Sequence, residues 1–378
     1  MVDPVRQEVL AMAHTVVLKV GTNLITHEDG RLNQERLRWL AAQIHQLRQL
    51  GHKVALVSSG AIGAGMGLLG LEKRPTDLRK LQAAAAVGQS ALIEAYEQAL
   101  RPYGYHAAQV LLTASDFDHR GRYLNMRNTL LALFEWGCVP IINENDTVSV
   151  AEIRFGDNDT LAAMVTNLLQ APLLILLTVV EGLFTGDPRH DSTAELLGTV
   201  ASIDDRIAAM ASDTRSSLGS GGMRSKLKAA RLVTLAGEAV IIANGERPDV
   251  LEGVLKGYEV GTLFLPQGGL INARKRWIGL TAQPKGGYIV DSGARKAILD
   301  QGRSLLAIGI VDIKGSFLKG DVVALFDEDG NEFARGLTNY PATDAVRILG
   351  LHSEQITELL GNGAYEEVIH RDNLALTV

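Results

Sequence analysis

Residues 143–160, NENDTVSVAEIRFGDNDT, hold five carboxylates (Glu144, Asp146, Glu152, Asp157, Asp159) and three side-chain amides (Asn143, Asn145, Asn158), with no lysine and one arginine, Arg154. Short carboxylates and amides packed this densely can hold Mg²⁺, an ammonium group or both. Turn and helix N-cap chemistry favours the same residue types, so the block alone leaves either reading open. Its position gives it direction. It follows the apolar run CVPII at 138–142 and leads into an apolar helical stretch, and open α/β sheets bind ligands at such strand ends.

Three further stretches could meet a phosphate. Residues 14–20, HTVVLKV, read as a buried strand that carries Lys19 and ends at Gly21. A charge there is costly without a negative partner, which suits a phosphate-binding lysine as well as a snorkelling one. The run SGAIGAGMG follows a second strand at 53–58, and its four glycines, Gly60, Gly63, Gly65 and Gly67, suggest a loop whose N–H groups face an anion. Their spacing is neither that of a P-loop nor that of a dinucleotide fingerprint, which argues against a dehydrogenase. Finally, LGSGGM at 218–223 opens onto Arg224, Ser225 and Lys226 at the start of a helical run, either a phosphate cradle or a flexible loop. Two lysines, two glycine-rich stretches and an acidic-amide block together are the parts that phosphoryl transfer needs. No Ser–His–Asp or Cys–His arrangement stands out, and the histidines lack metal-ligand spacing. A kinase outside the P-loop class is the reading that the residues favour.

The elements that must position these groups alternate. Helical periodicity covers 32–49, 78–101, 123–136 and 159–169. Strand-like runs fall at 14–20, 53–58, 105–112, 138–142, 173–178, 240–243 and 262–265. That alternation predicts an α/β domain, a mostly parallel sheet sandwiched by helices. After the PQGG cluster at 266–269 the texture changes to short strands between turns, at 287–291, 305–308 and 322–326, with helices at 292–301 and 353–360. That predicts a small β-rich C-terminal domain. The expected division is 1–268 and 275–378.

Composition agrees with two globular domains: 378 residues, 46% hydrophobic, 21% charged, net charge −6. There is no overall basic field for nucleic acid or anionic membrane. Residues 275–378 carry eleven Lys/Arg against fourteen Asp/Glu, a net −3 that disfavours RNA binding. Cys138 is the one cysteine, so no disulfide framework exists. The start, MVDPVRQEVL, has neither the basic nor the apolar part of a signal peptide, and no apolar stretch is long enough to span a membrane. The expectation is a cytoplasmic protein.

The strings VLKVGTNLIT, LVSSGAIGAG, AAVGQSALI, PIINENDTVSVAEIRFGDNDTLAA, GLFTGDPR and GSGGMRSKLKAA resemble the glutamate-phosphorylating branch of the amino acid kinase family. RKRWI and the β-rich tail resemble that branch's C-terminal PUA domain, so the likeness covers nearly the whole chain. It implies ATP-dependent, Mg²⁺-assisted phosphorylation of the L-glutamate γ-carboxylate to L-glutamyl 5-phosphate, the first step of proline biosynthesis. It also implies inhibition by L-proline, a homo-oligomer (dimer or tetramer), and glutamyl phosphate reductase as a candidate partner. Carried over by position, Lys19 and Lys226 would stabilise the moving phosphoryl group, with Asp159 organising them and the backbone around Gly60 facing it. Ser59, Asp146 and Asn158 would hold glutamate, and Asp157 would support the site. ATP would meet Lys19, Thr178, Val179 and the run Ser220, Gly221, Gly222, Met223, Arg224, Ser225 and Lys226. No metal ligand is assigned.

Two positions depart from the family pattern. Val179 stands where an aspartate is usual, which puts one nucleotide contact in doubt, and Arg224 replaces a small polar residue, either to meet phosphate or to be solvated. Rival readings are a kinase acting on aspartate or acetylglutamate, an RNA-binding protein, and a regulator that binds glutamate without turnover. The paired acidic blocks, the acidic tail and the retained Lys19, Lys226 and Asp159 argue against them in turn.

Overall fold

The computed structural model describes residues 3–27, 29–148, 157–211, 222–267, 273–361 and 365–377. The chain divides into two compact units, Met1–Leu270 and Ile271–Val378. The first is built on an eight-stranded sheet of β1 (Thr15–Val20), β2 (Lys53–Ser58), β3 (Ala107–Leu112), β4 (Val139–Glu144), β5 (Leu173–Thr178), β6 (Thr199–Val200), β7 (Ala239–Asn244) and β8 (Thr262–Phe264). Their order is β3-β4-β2-β1-β5-β7-β8-β6. All neighbours are parallel except β7 and β8.

β1 lies at the turning point of this order. The chain leaves it to build β2, β4 and β3 on one side and returns to build β5 and β7 on the other. A crevice opens at such a point beyond the carboxyl ends of the strands. Both faces are covered, so β1 is buried at every residue. Val16, Leu18 and Val20 join the core that holds Leu37, Leu40 and Ile44 of the helix Gln34–Gln49. The pleat turns Lys19 to the opposite face, beneath the helix Asn158–Leu169, which is buried almost all round.

One expectation fails here in an informative way. The glycine-rich run after β2 is a helix, Ala61–Leu68, and only Gly60, with φ of 109°, takes the left-handed conformation that ends the strand. The glycines beyond it serve packing. A Cβ on Gly65 would lie 1.8 Å from the Ala84 carbonyl oxygen, and one on Gly88 would lie 1.8 Å from that of Ala61. The helix therefore meets Leu78–Leu100 backbone to backbone.

The second unit holds a five-stranded sheet of β9 (Gly286–Val290), β10 (Ile310–Gly315), β11 (Val322–Phe326), β12 (Glu332–Leu337) and β13 (Leu374–Leu376), in the order β10-β9-β11-β12-β13. Tyr288, Val323, Leu325, Phe333 and Ile369 are among its core residues. The helices Ser292–Gln301 and Ser353–Leu360 form as the sequence predicts. The predicted strand at 305–308 does not: Leu305 makes one isolated bridge to Ile369, and a short 3-10 turn, Ala307–Gly309, follows before β10. Among the described residues, no helix is long and apolar enough to cross a membrane.

The helix contact predicts opposite outcomes for two glycine-to-alanine changes. Gly88→Ala should lower stability by roughly 1–3 kcal/mol or more, because backbone must move to admit the methyl group. Gly121→Ala, on the exposed first turn of Arg120–Glu135 with nothing within 4 Å, should be neutral or stabilising by up to about 1 kcal/mol. Urea unfolding of the two variants measures both; equal stabilities would show that the helices can part at no cost.

Candidate active site

Every strand around the turning point delivers polar residues to one cleft of about 740 Å³, lined by Lys19, Ser59, Gly60, Asn143, Glu144, Asp146, Asp157, Asn158, Thr178, Val179 and Lys226 among others. Lys19 is the penultimate residue of β1, Ser59 and Gly60 follow β2, Asn143 to Asp146 end β4, and Thr178 closes β5. These are the strand ends at which the sequence placed its chemistry.

Its base is an ion cluster. Asp159 sits in the first turn of Asn158–Leu169, where the N-terminal end of a helix favours a negative charge. The helix is started by Asp157, whose side chain accepts from the Thr160 N–H at 2.9 Å. Asp159 is wholly buried, 0% exposed, and Lys19 and Lys226 are 6% and 5% exposed. Lys19 Nζ lies 2.6 Å from one carboxylate oxygen, Oδ1. Lys226 Nζ and Ser225 Oγ donate to the other, Oδ2, at 3.0 Å and 2.7 Å.

Burial opposes the charged form of Asp159, but attraction to Lys19 and Lys226, with hydrogen bonds from Lys19 and Ser225, outweighs it and holds the carboxyl well below the usual range. For Lys226, burial lowers the pKa; Asp159 pulls it back up and Lys19 adds to the lowering. Two ammonium groups share one carboxylate, so the cluster carries a surplus of one positive charge. Lys19 and Lys226 both reach the cleft while Asp159 lies behind its lining.

Beside the ion cluster lies a hydrogen-bonded set of amides and hydroxyls. Asn158 Nδ2 donates to Ser59 Oγ at 2.8 Å and to Asn143 Oδ1 at 2.9 Å, with a longer approach of 3.3 Å to the Ser58 carbonyl. Ser58 Oγ and the Tyr96 hydroxyl are 2.7 Å apart, which ties the end of β2 to the helix Leu78–Leu100. Asp146 is half-buried and lines the same cleft.

Of the residues expected from the sequence, Lys19, Lys226 and Asp159 meet directly, and Ser59, Asn158 and Asp146 line the same cleft. Thr178 and Val179 lie at the cleft end of β5, with Val179 exposed. Gly222 starts the helix Met223–Thr234 as its N-cap. Gly222, Met223 and Arg224 are not among the residues that line the cleft. Ser220, Gly221, Glu152 and Arg154 lie outside the described residues. Sequence reasoning missed the link from Asn143 to Gln89, whose Oε1 accepts from Asn143 Nδ2 at 2.9 Å, because Gln89 stands in an alanine-rich helix that reads as packing. It also missed Ser225 as a partner of Asp159.

The fold and the site together define a protein built to hold an anion against two lysines beside a polar pocket. A family profile described as "Amino acid kinase family" matches residues 14–244, and one described as "PUA domain" matches 286–360. The chain belongs to the amino acid kinase family. It is 47% identical over 361 residues to "Glutamate 5-kinase" of Caldanaerobacter subterraneus subsp. tengcongensis, covering 96% of this chain and 97% of that one. It is likewise 47% identical over 365 residues to the "Glutamate 5-kinase" of Moorella thermoacetica, covering 97% of each. Among solved structures, a carbamate kinase from Giardia lamblia bound to AMP-PNP is similar with a TM-score of 0.49 at 18% identity, over 68% of this chain and 100% of that one.

The ion cluster makes a stability prediction with a definite sign. In the native protein the folded Asp159 pKa lies below its unfolded value of about 3.9, so its contribution is complete above that pH and is lost as pH falls through the folded value. Asp159→Asn removes the shared counterion and should cost about 3–5 kcal/mol at pH 7. The Lys226 pKa, already lowered, then falls further, so the variant's folded state binds fewer protons than its unfolded state below about pH 10. Its stability should therefore rise from pH 7 to pH 9 more steeply than that of the native protein. Urea unfolding at both pH values checks this, and parallel curves would remove Asp159 as the holder of the two charges.

Proposed function

We propose that this protein transfers the γ-phosphoryl group of ATP to the γ-carboxylate of L-glutamate, giving ADP and L-glutamyl 5-phosphate, the first step of proline biosynthesis. The observation that carries the reading is the buried Lys19–Asp159–Lys226 cluster with its surplus positive charge, whose two lysines share one cleft with Ser59, Asp146 and Asn158. Its end-to-end relatives, named glutamate 5-kinase, supply the acceptor.

The chemistry asks little of the protein beyond position and charge. A glutamate carboxylate is ionised at pH 7, so no general base is needed. Its oxygen bonds to the γ-phosphorus as the bond to the β–γ bridging oxygen breaks, and ADP leaves with that electron pair; no proton moves. Negative charge spreads over the transferring oxygens, and Lys19 and Lys226 neutralise it while Asp159 keeps both ammonium groups in place. The backbone at Gly60 and the first turn of Ala61–Leu68, which has no side-chain cap, face the same space.

On the acceptor side, Asp146 pairs with the substrate ammonium, and Ser59 and Asn158 fix its orientation. ATP occupies the side of Thr178, Val179 and the run from Ser220 to Lys226. Magnesium arriving with ATP would supply positive charge to the phosphates, and Asp157 at the cleft is a carboxylate that would hold it. The kinase domain spans 1–268 and the PUA domain 275–378. The enzyme works in the cytoplasm as a homo-oligomer, is inhibited by L-proline, and hands its labile product to glutamyl phosphate reductase.

The reading is tested by ADP release with Mg²⁺-ATP, trapping the acyl phosphate with hydroxylamine. Hydroxamate should form from L-glutamate and not from aspartate or acetylglutamate, and added proline should suppress it. No hydroxamate from any acid would sink the assignment. Lys226→Ala should fold and lose turnover by roughly 10²–10³-fold or more, and near-normal activity would take Lys226 out of the mechanism. Asp146→Ala should chiefly raise the glutamate KM; an unchanged KM would reject its pairing with the ammonium.

A further inference from the structure

We propose that Gln89 and Asn143, neither of which need touch substrate, set the hydrogen-bond polarity of the acceptor pocket and so its preference for an amino acid over a plain dicarboxylate. The inference rests on the glutamate reading above. The Glu144 backbone N–H can only donate, and it donates to Asn143 Oδ1 at 2.9 Å. That fixes which way the Asn143 amide faces. Its Nδ2 must then point the other way, where it donates to Gln89 Oε1 at 2.9 Å.

Asn143 Oδ1 also accepts from Asn158 Nδ2 at 2.9 Å, so the second amide is oriented in turn. The other hydrogen of Asn158 Nδ2 goes to Ser59 Oγ at 2.8 Å. Two consequences reach the cleft. Asn158 must present its oxygen, an acceptor, to whatever binds beside it. Ser59, whose oxygen is already accepting, keeps its own proton to donate. An acceptor and a hydroxyl donor suit the ammonium and a carboxylate of an α-amino acid, and reversing Asn158 would set an NH₂ against the ammonium.

Gln89 is the far anchor of this relay. It is 8% exposed, and its Nε2 makes no hydrogen bond among the described residues, so the bond through Oε1 is what holds its amide. Asn143 is 3% exposed. Without an acceptor at Gln89, a buried Nδ2 is left unpaired. Asn143 then shifts to bring that Nδ2 toward another acceptor, which weakens its two bonds through Oδ1 and loosens Asn158.

The test compares L-glutamate with glutarate, which keeps both carboxylates and lacks the amine, in the hydroxamate assay. The variants are Gln89→Met, which removes the acceptor at similar volume, and Gln89→Glu, which keeps an accepting oxygen in either protonation state. Gln89→Met should lose about 10- to 100-fold in glutamate kcat/KM, mainly through KM. Its ATP KM should stay within about 2-fold, and its discrimination against glutarate should fall by the same factor as glutamate kcat/KM. Gln89→Glu should restore most of both. Wild-type discrimination in Gln89→Met, or a matching rise in ATP KM, overturns the relay. Should Gln89→Met not fold, the Gln89→Glu arm decides alone, since loss of discrimination there has the same effect. A wild-type enzyme that makes no hydroxamate from glutamate fails the glutamate reading instead, so the two failures are distinct.

Discussion

One buried carboxylate between two ammonium groups is the constraint around which the first domain is arranged. Ionised side chains are costly to bury, and a charge left without its partner is costlier still. Asp159 meets that demand by serving Lys19 through one oxygen and Lys226 and Ser225 through the other. Each partner comes from a different element: the central strand, the helix Asn158–Leu169, and the helix Met223–Thr234. The cluster can form only when all three are docked, so the assembly of the fold and the assembly of the charge site are one event. The imbalance of two cations to one anion leaves a positive charge at the cleft that an anion can complete.

The sheet order explains why these parts meet. A lysine near the end of an edge strand would sit in water and hold little. At the end of β1, flanked by β2 and β5, Lys19 is enclosed on both sides, and the strand ends that follow surround it with Ser59, Asn143 and Thr178. Burial of Asn158–Leu169 on almost every side pins the helix in the interior, which places the charge of Asp159 at a fixed depth.

Much of this could be read from residue order. Lys19 in a strand of β-branched neighbours announces a buried charge, and the second of the two acidic-amide blocks opens the helix that answers it. The alternation of period gave the α/β domain, and the shorter strands beyond residue 269 gave the second one. What sequence could not show is which neighbour a polar group selects across the fold. Gln89 lies 54 positions from Asn143, and inside an alanine-rich helix its side chain gives no local sign of a partner. The run from Gly60 to Gly67 was misleading for a related reason. Glycine marks a turn when φ is positive and a close approach when another backbone lies against it, and only Gly60 is of the first kind. Leu305 failed as a strand because its backbone finds one bridge partner, Ile369, rather than a ladder.

The contact between Gly65 and Gly88 has a meaning beyond packing. Gly88 immediately precedes Gln89, and the helix carrying Gly65 begins at the Gly60 turn beside Ser59. Because the two backbones touch, the helices have no layer of side chains between them to compress or slide on. The spacing between the turn after β2 and the amide network is thereby set by hard contact, as a machinist's stop sets a gauge. The acceptor pocket is calibrated at two places that have no side chain at all, and its tolerance is that of the main chain rather than of rotamers.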